Sequence, residues 1–597
     1  MSIAMTAVHA KRAEAALSAI PSQVTGNDPA AATASIQTAR LNVEAVHAAT
    51  SSLPISMLAT IPYFRTNLHG VQAFTRAALS VLDAADATKD VYPTLMGEGG
   101  QGEAAFQDGV INVALLKQMQ PQVRSASANI AAADRYLNEV PPDVSPVLRR
   151  LVNKASAEVA PVRKALLVAE QTLPELPTLM GERRAAKYLV VFNNPAELYP
   201  GGGASLNVAL VEFKNGRMSV LDRGDVYHFF PGVQKVPWNP VAGGPYFEEK
   251  GAEDGFAWSN LHQDFRVAGE DVMRSWVANG GTPVDGVISL DPVALAAAID
   301  ATGPIDSKLY GTITAKNLVR KLLFLGYRKA PVSQDLRHEF NQELIDEMLS
   351  RMRNGDTALN TVRAMLATAP GQHIRVYLSN GRLASALHAA QLDGAQPDPQ
   401  PDRIAFYTQN QNASKVDIFQ NRRILQKVRL APDGSAEIVQ TARVKNGARQ
   451  HAGPGVRIGY NTGWAFHWNI VLLPEGARDV RISANPGQIK KDDRVFTDVD
   501  GREAVRIGRW IPPGGTSVIT TSYSLPPGTF GSAGDLEYTV GVEHQLTVKD
   551  VKVTIEVAGP SRPTAVQGQW TIDGNDATAR FPVTGPTTLS LSFAGTD

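Results

Sequence analysis

The chain has 597 residues, with 58 Lys or Arg and 58 Asp or Glu, so its formal net charge is zero. This length predicts three or four domains, and the balanced charge gives no general basic field, so we expect no nucleic-acid partner. The absence of cysteine excludes disulfides, thiolate zinc sites and cysteine nucleophiles.

Membrane and targeting signals are not evident in the sequence. It contains no apolar run of the roughly 18 residues that a bilayer span needs. The first residues, MSIAMTAVHAKRAEAALSAI, lack the basic segment, apolar segment and cleavage site of a signal peptide. Two interpretations stay open: a cytoplasmic protein, or an ectodomain whose membrane anchor was removed.

Residues 1–178 are rich in alanine and carry apolar residues at helical spacing, which predicts a helical bundle or stalk. Residues 95–107 form a predicted flexible break. Ser145-Pro146 is typical of a helix start, and Pro161 should kink that helix or end it early. We expect the apolar stripes to be core, with a partner-binding coiled coil as the alternative. The stripes are Ile36, Ala39, Val43 and Val46, and Leu148, Leu151, Ala155, Val159, Val162 and Leu166.

Residues 180–390 alternate between strand and helix patterns, which predicts an α/β domain. Lys187–Asp225 is its central stretch: a buried strand, the loop Gly201-Gly202-Gly203, a second strand, the turn Asn215-Gly216 and a third strand. Later segments continue the alternation, with strands at Val284–Leu290 and Ile374–Leu378 and helices at Thr314–Phe324 and Asp335–Arg353. If the chain has a chemical site, we expect it where these strands end.

Residues 391–402, QLDGAQPDPQPD, are polar with alternating proline and predict a linker. The hydrophobic period after it changes to two, which predicts a β-sandwich at residues 403–530 and a second, smaller β-domain at residues 531–597. The whole pattern is that of a multidomain α+β protein. No catalytic constellation is evident in the β-rich part.

Four polar motifs of the α/β domain have a functional and a plain structural interpretation. The glycine loop around Gly202 could cradle a phosphate or be a simple turn. Asp222-Arg223-Gly224-Asp225 could hold a divalent metal and a phosphate, or form a surface turn with a local ion pair. The cluster Asn260, His262, Asp264 and Arg266 could serve a ligand or cap the next helix. Arginine and lysine at Arg320, Lys321, Arg328, Lys329 and Arg337 could line a phosphate groove or a solvated helix face.

Three segments resemble a family of bacterial envelope proteins known as domain-of-unknown-function family 4012. The segments are NNPAELYPGGG, VDGVISLDPVALAAAIDATGPI and YRKAPVSQDLRHEF. The resemblance implies an extracytoplasmic protein in which a helical region follows a membrane anchor, absent from this chain, and precedes an α/β domain and a β-rich tail. Tyr199 stands where that family usually has an arginine.

The α/β domain also resembles, more distantly, the LytR-CpsA-Psr phosphotransferases, which move glycopolymers from polyprenyl-pyrophosphate carriers onto peptidoglycan. The matching segments are YLVVFNNP, LDRGDV, SNLHQDF, VDGVISLDPVALAAAIDATGPI and LGYRKAPVSQDLRHEFNQ. This resemblance implies a catalytic role for Arg223 and Asp225, with Asp225 as a ligand of Mg²⁺. It also implies a phosphate or ligand pocket, to which we assign Arg328, Arg337, Asn260, Asp264 and Gly202.

The sequence departs from that enzyme pattern at two places. Ala204-Ser205-Leu206-Asn207 opens the second strand where the enzymes have Arg-Ser-Asp, and Gly224 separates Arg223 from Asp225. We therefore expect an envelope protein that binds a cell-wall glycopolymer or a polyprenyl-pyrophosphate-linked glycan, without established catalysis. The alternatives are a metal-dependent phosphotransferase and a scaffold that assembles through the helical region, with other envelope proteins as further partners.

Overall fold

The computed structural model describes residues 9, 12, 29–50, 62–91, 106–107, 109–232, 236–237, 255–308, 310–325, 334–353, 355–450, 452–453, 455–487, 494–497, 501–532 and 535–594. It is a mixed α+β structure with a helical N-terminal region and a strand-rich C-terminal half. Within those ranges, no helix is both long enough and apolar enough to cross a bilayer.

In the part of the helical region that the structure describes from Pro29 onward, four long helices each pack against the next. They are α1 (Pro29–Thr50), α2 (Pro62–Thr88), α3 (Val113–Asn138) and α4 (Pro146–Thr172), followed by the single turn α5 (Leu176–Leu179). The Ser145 hydroxyl accepts a hydrogen bond from the Leu148 amide at the start of α4, as the sequence predicts. Pro161 does not end α4, which continues to Thr172.

The helical region is not separate from the central domain. Residues 95–107 were predicted to be a flexible break, but Phe106–Gln107 forms a short strand, β1, that pairs with β2 (Val110–Ile111). Residues 95–105 lie outside the described residues. The hairpin extends the central sheet because Val110 pairs with Arg217, and α4 contacts a short helix of the central domain at Ala384–Ala389.

The central domain is built on a seven-stranded sheet with the strand order β1-β2-β5-β4-β3-β6-β9. Its other strands are β3 (Ala186–Asn194), β4 (Ala204–Lys214), β5 (Arg217–Asp225), β6 (Gly286–Leu290) and β9 (Ile374–Leu378), and β7 (Ile305–Ser307) and β8 (Gly311–Ile313) form a separate hairpin. The helices are α6 (Val226–Phe229), α7 (Phe265–Ala278), α8 (Pro292–Thr302), α9 (Ala315–Arg320), α10 (Gln334–Arg353), α11 (Gly355–Leu366) and α12 (Ala384–Ala389).

Apolar side chains cover both faces of this sheet. Val190 and Val211 point to one face, where they join a core with residues of α8, α10 and α11. Leu189 and Val208 point to the other face, where they pack with residues of α7. The central domain is therefore a three-layer α/β arrangement, as strands with buried residues on both faces predict.

The two predicted β-domains are one structure. The seven-stranded sheet β15-β18-β13-β12-β21-β24-β23 contains strands from both sides of residue 530, and one hydrophobic core extends from Ile404 to Phe593. The first group of strands is β10 (Asp402–Ile404), β11 (Phe406–Asn410), β12 (Gln420–Leu430), β13 (Ala436–Asn446), β14 (Ala465–Leu472), β15 (Arg478–Asn485), β16 (Arg494–Thr497), β17 (Glu503–Ile511) and β18 (Thr516–Leu525). The second is β19 (Gly531–Ser532), β20 (Asp535–Val542), β21 (Val551–Ala558), β22 (Pro563–Gln567), β23 (Trp570–Asp573), β24 (Asp576–Val583) and β25 (Thr587–Ala594).

The predicted linker at residues 391–402 is packed between domains. Gln396 is buried and its amide donates hydrogen bonds to the carbonyl oxygens of Gln263 and His544. Asp402 is fully buried at the start of β10 and accepts hydrogen bonds from Tyr523 and Tyr538. The segment therefore fixes the β-sandwich against the central domain instead of separating the two.

Candidate functional site

Three strands of the central sheet end at one edge. The strands β3 and β6 are parallel, with Phe192 opposite Leu290, and β5 runs antiparallel to β4, with Asp225 opposite Asn207. The carboxyl ends of β3, β5 and β6 therefore lie together, which is where ligands bind in open α/β sheets. This edge is the candidate site that the sequence predicts.

Arg223 and Asp225, the two predicted catalytic residues, lie at this edge with local partners. The guanidinium of Arg223 forms an ion pair with Asp346 of α10. Asp225 is the N-cap of α6: its Oδ1 accepts hydrogen bonds from the amides of Tyr227 at 2.9 Å and His228 at 2.8 Å. Both contacts fix the end of β5 against neighbouring helices.

Two adjoining cavities open beside Arg223, and together we call them the strand-end groove. The larger has a volume of about 1020 Å³ and the smaller about 550 Å³. They share Arg223 and Gln342, and the smaller one also contains Asp225, Tyr227 and His228. Among the residues that the structure describes, five carboxylates and two cations line the larger cavity, namely Asp306, Glu339, Glu343, Asp346 and Glu347, with Arg223 and Lys308. The described lining of the groove is therefore predominantly acidic.

Gly202 and Asn260 lie away from this groove, at the contact with the β-sandwich. The Asn260 amide donates hydrogen bonds to the carbonyl oxygens of Gly201 at 2.8 Å and Gly203 at 3.1 Å. Gly202 has a φ of +105° and its amide donates to the carbonyl of Tyr199 at 2.9 Å. The Gly202 amide is therefore used within the glycine loop, and a Cβ at Gly202 would lie 3.3 Å from the Leu546 side chain of the β-sandwich. Neither residue contributes to the strand-end groove.

Asp264 caps the following helix, which is the structural alternative to ligand binding that the sequence left open. Its Oδ1 accepts a hydrogen bond from the Arg266 amide at 2.9 Å at the start of α7, and its carboxylate pairs with the Arg266 guanidinium. The two predicted pyrophosphate ligands cannot be placed in the same way. Arg328 lies outside the described residues, and of Arg337 only the backbone, within α10, is described.

A magnesium site at Asp225 does not fit the described residues. The side chain opposite Asp225 across the strands is the neutral amide of Asn207, so this pair supplies only one carboxylate. One oxygen of Asp225 already caps α6. In the part of the chain that the structure describes, no three His, Cys, Asp or Glu side chains are grouped to hold a metal ion.

Sequence reasoning missed Arg375 of β9, which is the most deeply buried cation among the described residues of this domain. It donates hydrogen bonds to the Gly201 carbonyl at 2.7 Å and to the Ser289 hydroxyl at 2.8 Å, and it lies over the Phe265 ring. Burial lowers the pKa of Arg375 to about 10. The sequence could have indicated this buried cation, because Arg375 is the charged residue of the otherwise apolar strand Ile374–Leu378.

Tyr199, at the position of the family's usual arginine, is also part of the domain contact. Its side chain is 1% exposed and packs near Trp258, and its carbonyl accepts a hydrogen bond from Gln545 of the β-sandwich at 2.9 Å. A buried ion pair between Glu197 and Lys415 lies beside it. The segment Glu197–Gly203 thus positions the β-sandwich and leaves the strand-end groove open to solvent.

The fold and the groove define a class: an α+β protein with a central α/β domain, an acidic groove at its strand ends and a docked β-sandwich. Residues 183–327 match the sequence model of a family described as protein of unknown function, DUF4012. This confirms the resemblance for the segment from β3 to the residues after α9, which holds the described strand-end residues Arg223 and Asp225.

Other comparisons give little further information. No curated protein matches the sequence. A candidate nutrient binding protein from Legionella pneumophila is 14% identical, with 30% of this chain and 68% of that chain covered and a TM-score of 0.21. A candidate protease from Parabacteroides distasonis is 10% identical, with 29% and 40% covered and a TM-score of 0.17. The resemblance to LytR-CpsA-Psr enzymes stays a prediction.

Proposed function

We propose that this chain is an extracytoplasmic bacterial envelope protein whose LytR-CpsA-Psr-like central domain binds the sugar part of a cell-wall glycopolymer without transferring it. The observation that carries the proposal is the strand-end groove. Its larger cavity, of about 1020 Å³, is at the upper end of the size range of small-molecule sites, and carboxylate and amide side chains offer acceptors and donors to sugar hydroxyls. The envelope location rests on the family resemblance.

The charge pattern of the groove supports binding of a neutral glycan over phosphoryl transfer. The guanidinium of Arg223 is paired with Asp346, and further carboxylates on α10 face the same cavity. A polyanionic pyrophosphate would meet these carboxylates at short range, where like charges repel. Sugar hydroxyls carry no charge and can accept from Gln342 and donate to Glu343.

Tyr227 offers an aromatic surface at the mouth of the groove. It is 65% exposed, although large aromatic side chains are usually buried, and it lines the smaller cavity with Gln342. An exposed aromatic ring next to hydrogen-bonding groups can pack against the apolar face of a sugar ring while those groups bind its hydroxyls. We therefore expect Tyr227 and Gln342 to contact the ligand.

Isothermal titration with soluble, uncharged cell-wall glycan fragments tests the proposal. We expect binding by the wild type and a loss of about tenfold or more in affinity for Tyr227→Ala, as for one removed aromatic contact. Tyr460→Ala is the matched control, because Tyr460 is 45% exposed on the β-sandwich and lines neither cavity of the groove. Absence of wild-type binding, or equal losses for both variants, would overturn the proposal.

A parallel titration distinguishes the phosphotransferase alternative. Polyprenyl-pyrophosphate analogues are added with and without Mg²⁺ to the wild type and to the double variant Arg328→Ala, Arg337→Ala. We expect weak binding that neither Mg²⁺ nor the double substitution changes. Binding that requires Mg²⁺ and is lost in the double variant would favour the enzyme instead.

The scaffold alternative has an observation of its own on α4. Val147, Leu151 and Val162 share one helical face and are 63%, 43% and 46% exposed. An apolar stripe of this kind can pair with a second copy of the helix. Light scattering on the full chain should then show a dimer. The variant Leu151→Glu should dissociate this dimer, whereas Leu41→Glu, on α1, should leave it intact. A strictly monomeric wild type would exclude this function.

A further inference from the structure

A loop of the β-sandwich presents apolar side chains to solvent. It connects β13 to β14, and Val456, Ile458 and Tyr460 are 43%, 69% and 45% exposed. Ile458 has the highest exposed fraction among the large apolar residues that the structure describes. Leaving Val456 and Ile458 in water gives no stability to the folded chain, so their exposure is typical of an interaction surface. The ring of Tyr460 beside them has the Lys415 ammonium 4.9 Å from its centre.

Hydrogen bonds fix the backbone of this loop, so the exposure of its tip is part of the fold. The buried Asn412 donates to the Arg457 carbonyl at 2.7 Å and accepts, through its own carbonyl, from the Gly459 amide at 2.9 Å. The Thr462 hydroxyl donates to the Val456 carbonyl at 2.7 Å. A loop held at its base in this way keeps Val456 and Ile458 pointing away from the sandwich.

The charged residues of the loop itself are of one sign. No Asp or Glu occurs between Glu437 and Glu475, whereas Arg449 and Arg457 are both exposed in the loop. The guanidinium of Arg457 lies 4.4 Å from the centre of the Trp464 ring, which pairs a cation with an amphipathic indole in the same loop. The loop therefore combines exposed arginine and apolar side chains within an acid-free stretch of sequence, and the carboxylate of Glu197 near Tyr460 is paired with Lys415.

We propose that the loop Gly455–Tyr460 inserts into the interface of an anionic lipid bilayer. Aliphatic side chains at the tip enter the boundary between headgroups and acyl chains, an aromatic ring lies at the headgroup level, and arginines meet the lipid phosphates. Charge complementarity selects this occupant, because an anionic surface matches the acid-free stretch. The inference goes beyond the proposed glycan function and does not depend on it.

Co-sedimentation of the full chain with vesicles tests the proposal. We expect binding to vesicles of equal parts phosphatidylcholine and phosphatidylglycerol that weakens as salt increases, and much weaker binding to phosphatidylcholine alone. Ile458→Ser should lower the partition coefficient about tenfold, as expected for loss of one buried aliphatic side chain. Val566→Ser is the matched control, because Val566 is 50% exposed on β22, and it should bind as the wild type does.

The absence of cysteine allows a second readout that does not depend on affinity. Ile458→Cys and Val566→Cys each provide a single attachment point for an environment-sensitive fluorophore. We expect the label at 458 to shift to the blue on addition of the anionic vesicles, and the label at 566 to stay unchanged. No vesicle binding, equal binding of Ile458→Ser and wild type, or equal spectral shifts at the two positions would overturn the proposal and favour a protein partner for this loop.

Discussion

The guanidinium of Arg223 is paired with the carboxylate of Asp346, which joins the end of β5 to α10 across the strand-end groove. This contact decides how the site is interpreted, because an arginine that is neutralised by a neighbour attracts a phosphate less than one that faces solvent alone. The two side chains remain 38% and 47% exposed, so solvent screens the pair.

Removing the partner of Arg223 should change ligand preference more than stability. We expect Asp346→Asn to bind inorganic pyrophosphate several-fold more tightly than the wild type, because the guanidinium is released and one carboxylate is lost. The free energy of unfolding should change by less than about 1 kcal/mol, as is usual for exposed ion pairs. Titration calorimetry measures the first effect and urea denaturation the second.

Glu347→Gln is the control for this prediction. Glu347 lies on the same helix and lines the same cavity, but it pairs with Arg351 of α10 itself. We expect it to leave pyrophosphate binding near the wild-type level. An equal gain for both variants would show that the general charge of the groove, and not the state of Arg223, controls anion binding.

The glycine loop should be intolerant of side chains. Gly203 has a φ of +115°, and a Cβ there would lie 2.4 Å from the Asn194 carbonyl oxygen. We expect Gly203→Ala to lower the free energy of unfolding by about 1–3 kcal/mol, the cost of a strained backbone, or by more if the clash moves β3. Gly381→Ala is the control, because nothing lies within 4 Å of a Cβ at that position. Equal thermal melts for the two variants would contradict the described loop.

Arg375 should act as a structural residue of the domain contact. Its replacement by leucine removes hydrogen bonds to the Gly201 carbonyl and the Ser289 hydroxyl, both of which stay buried. The two acceptors each keep a second donor, the amides of Asn260 and Asn193. The variant therefore loses two hydrogen bonds to a charged group, which contribute about 1.5–3 kcal/mol each, so we expect a loss of about 3–6 kcal/mol in unfolding free energy. Arg382→Leu, at a site where the side chain is 72% exposed, should change it by less than about 0.5 kcal/mol.

The buried His544 should make the chain sensitive to acid. Burial, with the charges of His373 and Arg422 nearby, lowers the pKa of His544 to about 3, against about 6.5 in an unfolded chain. Between those values the unfolded state takes up a proton that the folded state does not, so this residue destabilises the fold as the pH falls below about 6.5. The slope is at most about 1.4 kcal/mol per pH unit.

A comparison of variants isolates this effect, because other groups act in the opposite sense. Burial raises the pKa of Asp402 to about 6, so Asp402 favours the folded state as the pH falls. We therefore expect His544→Gln to lose less stability than the wild type between about pH 6.5 and 5, by about 2 kcal/mol at most. Parallel pH slopes for the two proteins would contradict this.

Local patterns predicted most elements of the central domain. The apolar run at Tyr188–Phe192, the turn Asn215-Gly216 and the cap Asp291-Pro292 each have a local physical cause, and each appears in the structure where that cause places it. On α4 the prediction was partly wrong. Val152 is buried while Leu151 is exposed, because two adjacent apolar residues leave the direction of the stripe undecided.

Long-range strand pairing explains why the sequence did not predict the arrangement of the β-rich part. The strand β12 pairs in parallel with β21, and β10 with β20, so residues on both sides of the predicted boundary at 530 form common sheets. Parallel partners need no short turn, so no turn signal marks them. The linker prediction failed in a related way, because Gln396 and Asp402 are polar but find buried partners in distant segments.

The position of the candidate site in the fold could be predicted from the sequence, but the contacts of its side chains could not. Strand ends in an α/β sheet located Arg223 and Asp225 correctly. Their partners could not be read from the sequence, because Asp346 comes from a helix more than a hundred residues later. The role of the glycine loop depended likewise on Arg375 and the β-sandwich, which the loop meets only in the folded chain.

Hydrogen–deuterium exchange with and without an uncharged cell-wall glycan fragment tests the central claim most directly. The backbone amides of α6 and of the described part of α10 surround the strand-end groove. We predict that saturating glycan slows exchange in these two helices and leaves the β-sandwich unchanged. Protection confined to the β-sandwich, or no protection anywhere at a concentration that saturates binding, would contradict the account.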